Sequence, residues 1–266
     1  MSGYSPSSSI ELLDRVLHDT SAPTRTGRRL LQRAAVGAAG VVAASVGVFA
    51  SSALADDRPH GPGDGDGSID DWGVFTATTE ALTVTILTEL LRRTSLHPEV
   101  PSEVSVTFDA VYAAELDHWN FISQHFNPST KHFWIPDGFF GGADDALDLA
   151  AVGKGVSGGE TLFVNTYLVG VTTFAEAGDL KFARYAAEAA GDESEHRVLG
   201  QTLAGASPPN NLGFEEFVFD NVGDIETALL GAGFGLGNEG ASPGRFYDFP
   251  NPPMAPPISI SSNEPT

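Results

Sequence analysis

Two glutamate–histidine pairs are the residues of this sequence best suited to chemistry. Glu115 and His118 occur in AAELDHWNF, and Glu193 and His196 occur in EAAGDESEHRVL. A spacing of three residues places both members of a pair on one face of an α-helix. Carboxylate and imidazole groups bind divalent metal ions, and because the chain contains no cysteine, any metal must be held by such side chains. A single pair is common on a solvated helix surface, so the surrounding pattern must separate a metal site from coincidence.

Four segments have the apolar periodicity of amphipathic helices, namely residues 71–93, 101–126, 159–177 and 180–203. Each carries one apolar stripe with steps of three and four residues. In chain order, the stripes are Ala77, Glu80, Val84, Leu87 and Leu91; Phe108, Val111, Glu115, His118 and Ile122; Glu160, Val164, Tyr167, Val171 and Phe174; and Phe182, Ala186, Ala189, Glu193, His196, Gly200 and Leu203.

Every stripe therefore contains a glutamate at a position where a core residue is expected. Four carboxylates in the core of one bundle would unfold a marginally stable domain unless something offset their burial. Two divalent cations would balance four carboxylates in charge, and two imidazoles would complete the coordination. Three other glutamates, Glu89, Glu176 and Glu188, lie off the stripes and are predicted to be exposed.

The positions along the chain agree with a common site. The midpoint of Glu80 and Glu115 falls in the short loop at residues 97–98, and the midpoint of Glu160 and Glu193 falls at residues 176–177, within about one turn of the second loop. In an antiparallel helix hairpin, residues equidistant from the loop lie at the same height. We therefore expect all six side chains to meet in one layer.

The connections complete the predicted architecture. Residues 127–157 form a long connection, with a short helix near 143–151, that lets the chain cross the bundle. The glycine-rich start of the third helix places Glu160 close to its N-terminus. Residues 205–266 form a C-terminal extension, with a short fifth helix predicted at residues 218–230 and disorder predicted at residues 251–266.

The six polar residues on the stripes, in their order, resemble the Glu, Glu-x-x-His, Glu, Glu-x-x-His ligand pattern of the ferritin-like di-iron and di-manganese carboxylate proteins. The resemblance covers residues 72–204. ETLFVNTYLVGV and YAAEAAGDESEHRVLGQTLAG are most similar to the exported ferritin-like family that includes desiccation-related proteins. The resemblance implies an all-α, ferritin-like four-helix bundle, built from two antiparallel hairpins joined by a long crossover, with two iron or manganese ions. The implied ligands are Glu80, Glu115, His118, Glu160, Glu193 and His196.

Several neighbouring residues have less defined roles. Asp117 and Asp192 are both candidates for the acceptor that the second imidazole nitrogen of a metal-bound histidine needs. His97, His125 and His132 are assigned to loops, helix ends or outer contacts. Four aromatic residues are predicted to be core, although a tyrosine beside an oxidising metal pair can act as a hydrogen-bond partner or electron donor; they are Tyr112, Trp119, Tyr167 and Tyr185.

Composition restricts the partners. The chain has 266 residues, 41% of them hydrophobic, which is enough for one domain with a core. A formal net charge of -21 disfavours binding to nucleic acid and to anionic membranes. The acidic leader and the C-terminal extension have no counterpart in ferritin cages, so we expect a monomer or small oligomer.

The first 55 residues have the features of an export signal. Arg28 and Arg29 precede an apolar stretch at residues 34–50, and Ala53-Leu54-Ala55 fits a signal-peptidase site. This pattern resembles a twin-arginine signal, which would make the export translocase a partner. An ordinary secretory signal and an N-terminal membrane anchor are the alternatives. Residues 56–71 are predicted to be a flexible acidic linker, and the mature protein is predicted to be extracytoplasmic and not to span the membrane.

Three functions remain open at this point. The first is an exported di-metal protein that reacts with peroxide or oxygen in stress protection. The second is a non-enzymatic desiccation or envelope protein, in which the bundle is structural. The third is an enzyme resembling manganese catalase, since the same ligands accept either ion.

Overall fold

The computed structural model describes residues 68–210, 212–251 and 253–260, so the predicted export signal at residues 1–55 and most of the predicted linker lie outside the described residues. The described chain is mostly helical and also contains a small sheet. Its elements are α1 (Ile69–Leu96), α2 (Ser102–Ile122), β1 (His132–Pro136), a 3-10 helix (Asp137–Phe140), α3 (Leu149–Glu176), α4 (Leu180–Leu203), α5 (Val222–Gly231), β2 (Gly235–Leu236) and β3 (Gly244–Asp248).

The four long helices form two pairs. Residues 97–101 join α1 to α2, residues 177–179 join α3 to α4, and such short loops make the joined helices antiparallel neighbours. α1 also packs against α3. The four long predicted helices are confirmed, and the apolar residues of their stripes are buried or pack against the hydrophobic core.

α1 runs through the core. It begins two residues earlier than predicted, because the Ser68 hydroxyl accepts a hydrogen bond from the backbone N–H of Asp71 and caps the helix. It is the one described helix long and apolar enough to cross a membrane. Because most of this apolar stretch is buried inside the protein, α1 equally fits a core helix.

α3 begins ten residues before its predicted start, so the predicted separate helix at 143–151 is wrong. The Asp148 carboxylate caps α3 by accepting hydrogen bonds from the N–H groups of Ala150 and Ala151, at 2.9 and 3.2 Å. The glycine-rich stretch that suggested a loop is helical. Glu160 therefore lies well inside its helix, and its predicted place near the N-terminus is also wrong.

Close packing of α3 on α4 accounts for these helical glycines. A Cβ atom at Gly153 would lie 2.5 Å from the backbone nitrogen of Ala204, and one at Gly200 would lie 2.8 Å from that of Ser157. Glycine in a helix costs roughly 0.5–1 kcal/mol relative to alanine, so its presence here reflects the approach of the two backbones. This contact holds the two helices that carry Glu160, Glu193 and His196.

The glycines of α4 offer a matched test. We expect Gly200→Ala to destabilise the protein by about 1–3 kcal/mol, because the added methyl group overpacks the contact with α3. A Cβ at Gly191, in the same helix, would meet nothing within 4 Å. Gly191→Ala should therefore stabilise the protein by about 1 kcal/mol through helix propensity. Urea unfolding followed by circular dichroism measures both values, and a shift in the same direction for both variants would contradict this role of Gly200.

The prediction of an all-α chain is wrong in one respect. β1, in the long crossover, is the central strand of an antiparallel three-stranded sheet with the order β2-β1-β3. Phe133 pairs with Leu236 on one side and Tyr247 on the other. The sequence lacked a hairpin signal, because the partner strands are short and far from β1 along the chain. The sheet ties the C-terminal extension to the crossover, and α5 packs against α1 and α3.

A buried arginine joins the sheet to α1. The Arg93 guanidinium is fully buried over the Phe140 ring and donates hydrogen bonds to Glu89, to the Ala146 carbonyl and to the Tyr247 hydroxyl, at 2.8, 2.6 and 3.0 Å. The side chain of Glu89 is only 12% exposed, so its predicted exposure is wrong. The exposure predicted for Glu176 and Glu188 is confirmed.

Candidate metal centre

All six predicted ligands point into one buried space between the four long helices. Glu80, on α1, and the two glutamates at 115 and 193 have no exposed surface. Glu160 and His196 are 6% and 5% exposed, and the side chain of His118 is 13% exposed. The stripes of the helices account for this arrangement. In each stripe, the polar residues lie between apolar residues that face the core, so they face the core as well.

The ligand atoms form two groups of four. One group contains Glu80, Glu115, His118 and Glu193, and the other contains Glu115, Glu160, Glu193 and His196. Within each group, one ligand atom from every residue lies within 4.8 Å of all the others. The two groups share Glu115 and Glu193, the carboxylates of the two Glu-x-x-His pairs.

Both imidazoles turn the same nitrogen toward the shared carboxylates. Nδ1 of His118 lies 3.5 Å from Glu115 and 3.3 Å from Glu193. Nδ1 of His196 lies 2.7 Å from Glu115 and 3.3 Å from Glu193. Each shared glutamate therefore contacts a histidine of its own helix and the histidine of the other helix.

Many of these atoms lack hydrogen-bond partners within the described part of the chain. They are Oε2 of Glu80, both carboxylate oxygens of Glu115, Nδ1 of His118, Oε2 of Glu160 and Oε1 of Glu193. The 2.7 Å contact between His196 and Glu115 is short, but its angles fall outside hydrogen-bond geometry. Buried polar atoms without partners are rare in native proteins, and a bound ion is one means of satisfying them. This Glu/His group could hold metal ions.

No protein-family model, curated protein or solved structure matches this chain. The basis for a functional conclusion is therefore the geometry and chemistry of the cluster itself. Its donor set consists of carboxylate oxygens and imidazole nitrogens, as expected for a site without thiolates.

A single aspartate contacts both imidazoles from outside the cluster. Oδ2 of Asp192 lies 3.3 Å from Nε2 of His118 and 3.9 Å from Nε2 of His196. Of the two candidates from the sequence, Asp192 thus occupies the acceptor position, and no described contact joins Asp117 to either ring. The spacing of 192 and 196 on one helix hinted at the second contact. The first contact joins two helices and had no sequence signal.

A tyrosine contacts the cluster on its α1 side. The Tyr167 hydroxyl donates a hydrogen bond to Oε1 of Glu80, and both residues are fully buried. The Tyr185 hydroxyl is close enough to that of Tyr167 for the two phenols to affect each other's pKa, although the pair lacks the geometry of a full hydrogen bond. Both tyrosines are core residues, as predicted, and Tyr167 is also a hydrogen-bond partner of a candidate ligand.

The electrostatics of the metal-free cluster favour bound protons. Burial raises the pKa of Glu80 and of Glu160 well above the ordinary value, and neighbouring carboxylates raise it further. Burial alone would raise the pKa of Glu115, but His196 and His118 outweigh it and lower that pKa. Burial lowers the pKa of both histidines, yet the surrounding carboxylates raise it more, so that each imidazole holds its proton tightly.

The remaining described histidines lie elsewhere, as predicted. In the α1–α2 loop, His97 contacts Glu99 at 2.7 Å. His125, just after α2, packs against the ring of Phe121. On β1, His132 contacts Asp248 at 2.7 Å.

The aspartate contact leads to a prediction. Asp192→Asn should weaken metal binding by about 10–100-fold, because the anion that orients both imidazoles and increases their basicity is lost. Asp117→Asn, on the neighbouring helix, is the matched control and should leave affinity unchanged. Titration with Mn²⁺ under isothermal calorimetry measures both variants, and equal affinities for Asp192→Asn and the parent protein would exclude this role.

Proposed function

We propose that the buried cluster binds two divalent ions, iron or manganese, within a ferritin-like four-helix bundle formed by α1 to α4. The observation that carries this proposal is the sharing of Glu115 and Glu193 between two groups of four ligand atoms. One ion would use Glu80 and His118 in addition, and the other would use Glu160 and His196. This division supplies each ion with three carboxylates and one imidazole.

The donor set supports the choice of metal. Carboxylates suit hard cations such as Mn²⁺, and imidazole ligands add affinity for Fe²⁺. Soft ions that require thiolates have no cysteine to bind in this chain. The unpartnered oxygens of Glu80, Glu160 and Glu193 are positions at which a cation would replace missing hydrogen bonds.

We further propose that the loaded protein reacts with peroxide or oxygen. When bound, two such ions would exchange electrons with a small oxidant. The chain keeps the candidate ligands almost fully buried, and Tyr167 holds a proton beside Glu80. Asp192, with 40% of its side chain exposed, lies at the edge where the cluster comes nearest to solvent. Small molecules would enter there.

Metal analysis tests the proposal. Protein purified without chelator from cells supplied with iron and manganese should contain about two such ions per chain by mass spectrometry. Glu188→Gln changes an exposed glutamate of α4 and is the control for Glu193→Gln. Peroxide added to the loaded protein should be consumed. Absence of iron and manganese in the parent protein would refute the proposal.

A metal-free structural role is the second candidate. It is supported by the contact of His196 with Glu115 at 2.7 Å, because a protonated imidazole can neutralise that carboxylate without a metal. This role would suit a non-enzymatic desiccation or envelope protein. Chelator treatment separates the two candidates, since it would not change the stability of a metal-free cluster. A protein resembling manganese catalase would instead consume peroxide without any added reductant.

Export is proposed from the sequence alone. Arg28, Arg29 and the Ala53-Leu54-Ala55 site lie outside the described residues and resemble a twin-arginine signal. Fractionation of cells that produce the full chain should find the protein outside the cytoplasm. We expect the exported protein to be a monomer or small oligomer. Retention of the protein in the cytoplasm would refute export, and loss of export in Arg28→Lys/Arg29→Lys would assign the route.

A further inference from the structure

Two tyrosines connect the cluster to the protein surface. Tyr167 donates a hydrogen bond to Glu80, and its ring centroid lies 6.1 Å from that of Tyr185, with the planes at 79°. The Tyr185 ring stacks on Phe121 at 4.0 Å, and Phe121 packs at 5.1 Å against His125, which is exposed. One partly buried ring therefore separates Tyr185 from solvent-exposed His125.

No hydrogen bond of good geometry accounts for the buried hydroxyl of Tyr185. Tyr185 is 5% exposed, and its hydroxyl lies beside that of Tyr167 without the geometry of a full hydrogen bond. Burying such a group without a partner costs roughly 1–3 kcal/mol, and phenylalanine would fill the same space without this cost. By contrast, the buried Tyr112 donates its hydroxyl hydrogen to the Met254 carbonyl at 2.9 Å. A buried polar group without a partner can indicate a redox or catalytic role.

We propose that Tyr167 and Tyr185 form a hydrogen-atom relay through which an external one-electron donor reduces the metal centre after it reacts with peroxide. This inference rests on the proposed function and assigns its reducing substrate. The donor is a small molecule with a weak O–H bond, such as a phenol. It acts near Tyr185 and does not reach the buried ligands.

The relay balances in atoms and electrons. Tyr167 gives one electron to the oxidised centre and its phenolic proton to Glu80. The resulting Tyr167 radical takes a hydrogen atom from the Tyr185 hydroxyl, and the Tyr185 radical takes one from the donor. Glu80 passes each proton to an oxygen of the cleaved peroxide. Two rounds therefore deliver two electrons and two protons, which convert one hydrogen peroxide into two waters while two donor molecules each lose a hydrogen atom.

The relay also gives each residue a separate task. Tyr167 touches Glu80 and exchanges both an electron and a proton with the site. Tyr185 makes no described hydrogen bond to a candidate ligand and serves only to pass the hydrogen atom outward. A protein that only disproportionates peroxide needs neither step, so the relay favours peroxidase-type chemistry over catalase-type chemistry.

Electron paramagnetic resonance tests the relay. The metal-loaded full chain is mixed with hydrogen peroxide and frozen, with and without hydroquinone as the donor. We expect an organic radical signal that narrows when the protein contains ring-deuterated tyrosine and that hydroquinone removes. Tyr167→Phe should lose the signal. Tyr185→Phe should keep the signal but no longer lose it on addition of hydroquinone, and Tyr112→Phe should behave as the parent protein.

Two further measurements keep the test decisive. Metal content is measured for every variant. If Tyr167→Phe does not bind metal, the response of the Tyr185→Phe radical signal to hydroquinone tests the relay. Tyr185→Phe should also be at least as stable as the parent protein, because its hydroxyl has no partner.

Opposite results would overturn the relay in distinguishable ways. A loaded parent protein that consumes peroxide without a tyrosine radical would exclude the relay and leave the metal proposal standing. The same conclusion would follow if hydroquinone removed the signal equally well from Tyr185→Phe. Failure of the parent protein to bind metal would overturn both proposals.

Discussion

Replacing either shared glutamate, Glu115 or Glu193, by glutamine should release both metal ions, whereas replacing Glu80 or Glu160 should release only one. The shared carboxylates belong to both groups of ligand atoms, and the other two each belong to one group. Glutamine keeps the size of the side chain but removes its negative charge. A shared position therefore deprives two ions of a ligand at once.

The expected metal contents are distinct. Mass spectrometry should find about two ions per chain in the parent protein, about one in Glu80→Gln and Glu160→Gln, and close to none in Glu115→Gln and Glu193→Gln. The loss at a shared position is larger than the ligand count suggests, because two cations held close together then repel each other with less charge between them.

Matched controls separate metal loss from unfolding. Glu188→Gln lies on the same helix as Glu193, is exposed and should retain both ions. Helical content measured by circular dichroism identifies any variant that fails to fold. If all four buried variants lost metal to the same extent, the cluster would bind a single ion or a cooperative pair, and the division into two groups would be wrong.

The sequence was sufficient to locate the candidate ligands. Glu80 and Glu160 carry no motif of their own, but each sits among apolar residues at helical spacing, and a carboxylate in such a stripe needs a partner. Because the loops between paired helices are short, the distance of each glutamate from the loop also predicted its position along the axis of the bundle. The structure brings these residues together with both Glu-x-x-His pairs.

Features that depend on contacts between distant elements were not predictable. Gly153 suggested a loop, because glycine is unfavourable in a helix. Its presence in α3 is explained only by the close approach of α4, which the sequence does not show. β1 pairs with β3 across most of the domain, so no local turn signalled it. The contact between Asp192 and His118 joins two helices whose rotation about their axes is set by packing. In each case, the sequence of one segment does not indicate which distant segment it contacts.

Metal removal should lower the melting temperature, and the loss should grow as the pH rises. At a free ion concentration one hundred times Kd, each bound ion stabilises the folded protein by about 2.7 kcal/mol, or about 5 kcal/mol for two. A domain of this size gains roughly 2–4 °C per kcal/mol, which gives a difference of about 10–20 °C between loaded and chelated protein.

The pH dependence follows from the raised pKa values in the metal-free cluster. Burial, with added repulsion between carboxylates, raises the pKa of Glu80 and Glu160 above 4.5, and the carboxylates around His118 and His196 raise the pKa of those imidazoles above 6.5. At a pH above those ordinary pKa values, the folded chain then binds more protons than the unfolded chain. Stability of the metal-free protein is therefore lost as the pH rises through the raised pKa values.

Two carboxylates have the opposite effect on stability, but over a different range of pH. The histidines lower the pKa of Glu115 and Asp192, so the stability that these carboxylates contribute is lost as the pH falls through their lowered pKa values. The metal-free protein should thus be most stable at mildly acidic pH. Thermal melts of chelated and reloaded protein between about pH 5.5 and pH 8.5 test this dependence.

The loaded protein should show the opposite trend, because metal ions compete with protons for the same atoms. Glu80, Glu160, His118 and His196 together hold four protons when each is protonated, and two divalent ions carry the same charge. Exchange of one set for the other leaves the charge of the buried space unchanged, so loading should release up to about four protons into a weakly buffered solution with a pH indicator. If chelation changed neither the melting temperature nor its pH dependence, protons alone would satisfy the cluster, and the four helices would be held together without metal.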